Sequence, residues 1–164
     1  TAFTTATLSR DTNVDVVADS NGIIALTDGT SGGLVDQVDG ELKIDFTNAG
    51  SGLGANVNSR YELGDPSNPT SEMAFNVTNQ DTVAHDLSIE YTGATDEGES
   101  GNQIEFRVYD SSGTQLTTVS EESTGSIGSA DFTSGDTLYV VVVVDTSGMS
   151  TAGDLSGTLN ITAT

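Results

Sequence analysis

The stretch TLYVVVVVD, Thr137 to Asp145, decides the fold. Five consecutive valines follow a leucine and a tyrosine, so β-branched and aromatic residues dominate and no helix former interrupts them. The apolar run, Leu138–Val144, is far too short to cross a bilayer, which takes about 20 residues, and it has the length of one strand. It shows no polar alternation either. A strand that is apolar on both sides is covered on both faces, so this one belongs in the middle of a sheet.

Working outward, the neighbouring segments alternate instead. ELKIDFTN (41–48) sends Leu42, Ile44 and Phe46 one way and Lys43, Asp45 and Thr47 the other. EMAFNVTN (72–79) alternates through Met73, Phe75 and Val77, HDLSIEYTG (85–93) through Leu87, Ile89 and Tyr91, and QIEFRVYD (103–110) through Ile104, Phe106 and Val108. QDTVA between the first two of these reads as a hairpin connection. DSSG (110–113) reads as a turn that lets TQLTTVS (114–120) pair back. Further strands are expected at 2–9, 14–19, 23–28 and 155–164, with a weaker one in SIGSADF. GLVDQVDG reads either as a loop or as a short irregular strand, and the long stretch Ala49–Pro69 carries one short strand or helical turn near Arg60–Leu63. About ten strands and recurrent Gly, Asn and Ser turns predict an all-β, antiparallel two-sheet sandwich. The division expected is an N-terminal strand over residues 1–10 and a single sandwich domain over 11–164.

Charge narrows the function. The 164 residues hold 25 Asp and Glu against 4 Lys and Arg, a formal −21. Phosphate binding needs clustered cations, so nucleic acid is excluded as a partner, and anionic membrane surfaces with it. Such self-repulsion opposes compaction in dilute buffer but is screened within about 3 Å at molar salt. An acidic chain with globular strand patterning therefore suggests a high-salt habitat. Cysteine is absent, which removes disulfide and thiol chemistry. The chain starts at Thr1, and the expectation is export with loss of a targeting segment, hence an extracellular protein. Asn76-Val-Thr78 and Asn160-Ile-Thr162 are N-glycosylation acceptor triplets.

Candidate chemistry is sparse. His85 is the single histidine; a triad with Asp86 and a serine is conceivable, but no GxSxG turn accompanies it. HExxH is missing, and one histidine without cysteine makes a transition-metal site a poor expectation. Two acidic groups are calcium candidates: Asp11, Asn13 and Asp15, and Asp96, Glu97 and Glu99. The first copies the start of an EF-hand loop but has Val16 where glycine is required, and in a strand its spacing simply puts three polar side chains on the solvent face. No cofactor is otherwise expected. Phe46, Phe75, Tyr91 and Phe106 read as core, with Tyr61 and Tyr109 as the aromatics left for the surface.

Three stretches together carry a resemblance: AFTTATLSRDTNVDVVADSNGIIALT (2–27), FNVTNQDTVAHDLSIEYTG (75–93), and GDTLYVVVVVDTSG with GDLSGTLNITAT at the close. They resemble a family of secreted haloarchaeal proteins of undefined function. That family is in turn similar to the TasA/camelysin group of biofilm-matrix fibre proteins and to archaeal bundling-pilus subunits. The resemblance implies a jelly-roll-type sandwich, export, and assembly into extracellular filaments in which the N-terminal strand of one subunit completes the sheet of the next. The peptidase activity attached to camelysins is not carried over, because this chain has one histidine and no HExxH.

Elementary physics allows the same assembly. An open sheet edge exposes unpaired N–H and C=O groups, and a strand from another chain satisfies them. Donor and acceptor surfaces differ, so the contacts are head-to-tail and build a filament. In TAFTTATLSR the donor residues would be Ala2, Phe3, Thr5, Ala6 and Leu8, with Phe3 and Leu8 as anchors of opposite parity. The first expectation is thus a non-enzymatic homopolymer subunit acting in cell adhesion or bundling. The alternative is a monomeric Ig-like adhesin, surface-layer-associated or virion surface domain whose N-terminal strand pairs within its own fold. A secreted hydrolase using His85 is the third.

Overall fold

The computed structural model describes residues 13–18, 22–38, 41–45, 60–93, 104–145 and 156–164. Among these residues the chain is all-β, with two six-stranded sheets packed face to face. The expected strand 2–9 lies outside them.

The valine run forms β11 (Thr137–Asp145) and occupies the middle of its sheet. One edge pairs antiparallel with β8 (Ile104–Tyr109). The other edge is shared: Thr137–Val140 pairs with β6 (Phe75–Asn79), and Val142–Asp145 pairs with β5 (Arg60–Leu63). β2 (Ile24–Asp28) flanks β6, and β9 (Gln115–Val119) flanks β8. Leu138, Val140, Val142 and Val144 point into the core with Phe75, Val77, Phe106 and Val108. Val141 and Val143 point the other way and are still covered, at 0% and 2% exposure. Their cross-strand neighbours on that outer face are Arg107 and Glu105 of β8 and Glu62 of β5, long side chains whose stems shield the valines beside them. Tyr109 and Tyr139 complete this second apolar cluster. Tyr109, expected at the surface, is thus buried: it stands on the outer face opposite Tyr139 and packs with Val141 and Val143.

The second sheet runs β10 (Gly125–Ile127), β7 (Leu87–Gly93), β12 (Gly157–Ala163), β1 (Asn13–Ala18), β4 (Glu41–Asp45) and β3 (Val35–Val38). Its alternation is clean: Val14, Val16, Leu42, Ile44, Leu87, Ile89, Tyr91, Leu159 and Ile161 are buried. Asp15, Glu41, Lys43, Ser88, Glu90 and Asn160 face solvent. The sandwich is not wholly antiparallel, because β1 runs parallel to β12. GLVDQVDG resolves into a 3-10 turn (Gly32–Leu34) followed by β3, and Arg60–Leu63 is a strand.

The link between β6 and β7 departs from expectation. It does not close a hairpin. β6 belongs to the first sheet and β7 to the second, so residues 80–86 cross between layers. Both strands bury one face, and each finds partners of its own. The true hairpin is β8–β9, whose turn has Gly113 in the left-handed region at φ 82° and its N–H bonded to the Asp110 carbonyl. Short connections and the β6–β7 crossing tie the two sheets at one end. At the opposite end β1, β5, β8 and β12 begin and β4, β7 and β11 finish.

Candidate functional site

His85 sits at the tied end, just before β7. Its Nε2 donates to Asp81 Oδ2 at 2.7 Å, and its Nδ1 lies 3.4 Å from the Thr164 carbonyl oxygen. Asp86, the neighbour considered for a triad, turns its carboxylate to the Ser129 N–H at 2.6 Å instead. Successive residues in extended chain point to opposite sides, so adjacency in sequence did not make a pair. The carboxylate that His85 meets is the one four residues earlier, held in a turn by the Thr82 N–H. Ser134 Oγ donates to the Asp81 carbonyl rather than to the ring. Around the histidine, the Asp86 and Thr164 backbones exchange two hydrogen bonds, and the His85 N–H reaches the Phe132 carbonyl. The arrangement fastens the β6–β7 crossing to the end of β12.

That fastening has a pH signature. The bond from His85, followed by that from the Thr82 N–H, lowers the Asp81 pKa below its usual 3.8. Ser112 and Thr114 do the same for Asp110 in the β8–β9 turn, where Oδ1 accepts from the Ser112 hydroxyl at 2.6 Å and from the Thr114 N–H at 2.9 Å. A carboxylate with a depressed folded-state pKa stabilises above its unfolded value, and that contribution is lost as pH falls through the folded value. At molar salt, urea midpoints are therefore expected to stay level down to about pH 5 and to fall below about pH 4. Asp110→Asn should show a shallower acid limb. An identical limb in the two proteins would remove Asp110 from the account.

Of the calcium candidates, Asp15 is exposed on the outer face of its sheet, opposite Lys43 of β4. The Asn13 backbone opens β1. Asp11, Asp96, Glu97 and Glu99 lie outside the described residues. Among the described residues no cluster of three or more His, Asp or Glu has the geometry to hold a metal ion. Of the two glycosylation triplets, Asn160 stands exposed on β12, whereas Asn76 is half-buried on β6 with its Oδ1 enclosed and unbonded among the described residues. The donor residues Ala2, Phe3, Thr5, Ala6 and Leu8 also fall outside the described set, and so does Phe46.

Among the described residues, the outer face of the β11 sheet sets charged side chains beside the covered Tyr109–Tyr139 cluster. Arg107 donates to Glu105 Oε2 from both Nε and an Nη, at 3.1 and 2.9 Å. Burial alone would lower the Arg107 pKa, but this pair outweighs it and the net shift is upward. Burial raises the Tyr109 hydroxyl, with Arg107 pulling the other way. Arg60 pairs with Glu62 at 2.9 Å and Asp145 at 3.7 Å along the same face.

Sheet edges are the remaining feature. β10 and β9, the edges of opposite sheets, lie against each other: a Cβ on Gly125 would come within 2.6 Å of Val119 Cγ2. On the other flank Gln37 of β3 donates its Nε2 to the Leu26 carbonyl of β2 at 2.8 Å. β5 pairs with β11 on one side and with nothing on the other among the described residues. Beside it runs a shallow groove of about 220 Å³, bordered by Thr30, Ser31, Leu34, Glu62, Leu63 and Glu72. Among the described residues no helix is long and apolar enough to cross a membrane. Comparison of the chain with models of known protein families and with curated proteins gives no match.

Proposed function

We propose that this protein is a non-enzymatic structural subunit of an extracellular filament, polymerised head-to-tail by strand exchange and acting in cell adhesion or bundling at high salt. The observation that supports this reading is the coexistence of a complete two-sheet core with a sheet edge that has no partner among the described residues. Unpaired edges invite strand addition, and soluble monomers usually blunt them. Upstream of β1 the chain supplies a stretch, TAFTTATLS, rich in strand formers and free of Gly, Pro and Asn. Acidity fits the setting, since a −21 subunit can stack on its own copies only where salt screens the repulsion.

The test is direct. Purified protein in molar NaCl should form filaments visible by negative-stain microscopy, and deletion of residues 1–9 should leave folded monomers. Filaments that persist in the deletion variant would refute strand exchange. A full-length protein that stays monomeric, and whose deletion variant melts much lower, would instead place the N-terminal strand in its own sheet, as the adhesin reading requires.

A further inference from the structure

Resting on that reading, we infer that the acceptor is the outer edge of β5 (Arg60–Leu63) with its adjoining groove, and that its occupant is the Thr1–Ser9 stretch of a second copy of this chain. Of the other lateral edges, those of β9, β10 and β2 are wholly or partly covered. β9 and β10 are pressed together with no space for a strand between them, and the β2 edge already has the Leu26 carbonyl capped by Gln37. β5 is different because β2 ends at Asp28 and the chain then turns away through Gly29 and Thr30, whose N–H groups bond to the Ala74 and Met73 carbonyls. Beyond that point the edge of the β11 sheet passes to β5, and the position that β2 fills beside β6 is empty beside β5 among the described residues.

The groove has the two-faced character that an added strand needs. Leu63, 5% exposed, belongs to the core side of β5, and partly buried Leu34 faces it across the groove. Glu62 lies on the outer face and Glu72 at the rim. An incoming strand would place alternate side chains against Leu34 and Leu63 and the others beside Glu62. An uncharged strand suits this edge: it leaves the Arg60–Glu62 pair undisturbed, whereas Asp or Glu opposite Glu62 would set like charges across the ladder. Thr1–Ser9 carries no charged side chain, and Arg10 follows it. Connectivity selects the second copy. β1 and β5 start at the same end of the sandwich, so Thr1–Ser9 would lie along its own β5 only after a complete reversal within the three residues Arg10–Thr12, whereas a chain that runs straight on from β1 leaves its own sandwich and reaches a second copy.

The chain has no cysteine, which makes disulfide trapping clean. One set of variants carries a single cysteine at Thr4, Thr5, Ala6 or Thr7. The other carries Glu62→Cys, with Ser88→Cys on the outer face of the opposite sheet as control. Each donor variant is mixed with each acceptor variant at molar salt and oxidised. The expected result is cross-linked dimers with Glu62→Cys at alternate donor positions only, because neighbours on one face of a ladder lie within disulfide reach and the intervening residues do not. Ser88→Cys should give none. A chain carrying both Thr5→Cys or Ala6→Cys and Glu62→Cys should give a ladder of covalent oligomers. Filaments that form without any Glu62→Cys cross-link would overturn the β5 assignment while leaving strand exchange standing. A doubly substituted chain that closes on itself as a monomer would overturn the second copy as occupant. Cross-linking equally at all four positions would show collision rather than strand pairing, and would also overturn the assignment.

Discussion

Asn79→Asp is expected to destabilise the domain by about 3–5 kcal/mol at neutral pH, more than Asn79→Ala, for which roughly 2–4 kcal/mol is expected. Asn79 ends β6 and is 1% exposed. Its Nδ2 donates to the carbonyls of Val83, Phe132 and Thr133 at 2.9, 3.1 and 3.1 Å, and its Oδ1 accepts the Asp81 N–H at 2.9 Å. Two amide hydrogens serve three carbonyls, so one is shared. The side chain thereby joins the β6–β7 crossing to the turn that leads into β11. Alanine would leave the Val83 carbonyl and the Asp81 N–H without partners, each at a cost of about 1–3 kcal/mol less what water restores, while the Phe132 and Thr133 carbonyls keep the N–H groups of His85 and Asp136. Aspartate is worse, because an ionised carboxylate offers only acceptors to a ring of acceptors. The variant also has a diagnostic pH dependence. A carboxyl there is held above its ordinary pKa, so the folded state binds the proton more tightly and the deficit shrinks as pH falls toward 5. Urea unfolding at pH 5 and pH 7.5 in molar NaCl measures both effects. Equal stability of the asparagine and aspartate forms would mean that the three carbonyls do not converge on this side chain in solution.

The same residue shows where sequence reading stops. Leu138–Val144 announced a central strand because burial on both faces leaves a local mark, and Leu42, Phe75, Ile89 and Phe106 announced an inward face by alternation. The Asp110–Gly113 hairpin was legible for the same reason, since its determinants lie within five residues. The β6–β7 crossing was not. What makes QDTVA a bridge between layers is the bonding of Asn79 to carbonyls more than fifty residues later, which no local pattern records. The parallel pairing of β1 with β12 joins Val14 to Gly157 and leaves no periodic trace either. Tyr109 looked like a surface aromatic because it follows the inward series, yet the Tyr139 opposite it and the outward valines of β11 make it part of a covered outer cluster. The β5 edge was visible only as a choice between strand and turn near Arg60–Leu63. Its open side depends on where β2 stops, which is a property of the whole sheet.

Phe106→Ala is expected to produce the other large loss, about 3–5 kcal/mol. Phe106 is fully buried on the inward face of β8, in register with Val142 of β11 on one side and Val119 of β9 on the other. Across the sandwich its ring meets that of Tyr91 on β7, with centroids 5.2 Å apart and planes inclined at 46°. Truncation removes the transfer energy of the ring, the aromatic contact and the atoms that fill the space between sheets. Collapse cannot recover much of this, because the walls are hydrogen-bonded strands whose spacing is set by their ladders. Against a total of about 5–15 kcal/mol for a domain, such a loss is a large fraction. At about 2–4 °C per kcal/mol for a chain of this size, the melting temperature in molar NaCl should fall by roughly 10 °C. Phe106→Leu, which keeps most of the volume, should cost less than half as much. Calorimetry on the deletion variant that lacks residues 1–9 separates subunit unfolding from filament dissociation. An unchanged melting temperature there would mean that the two sheets do not meet at this pair of rings.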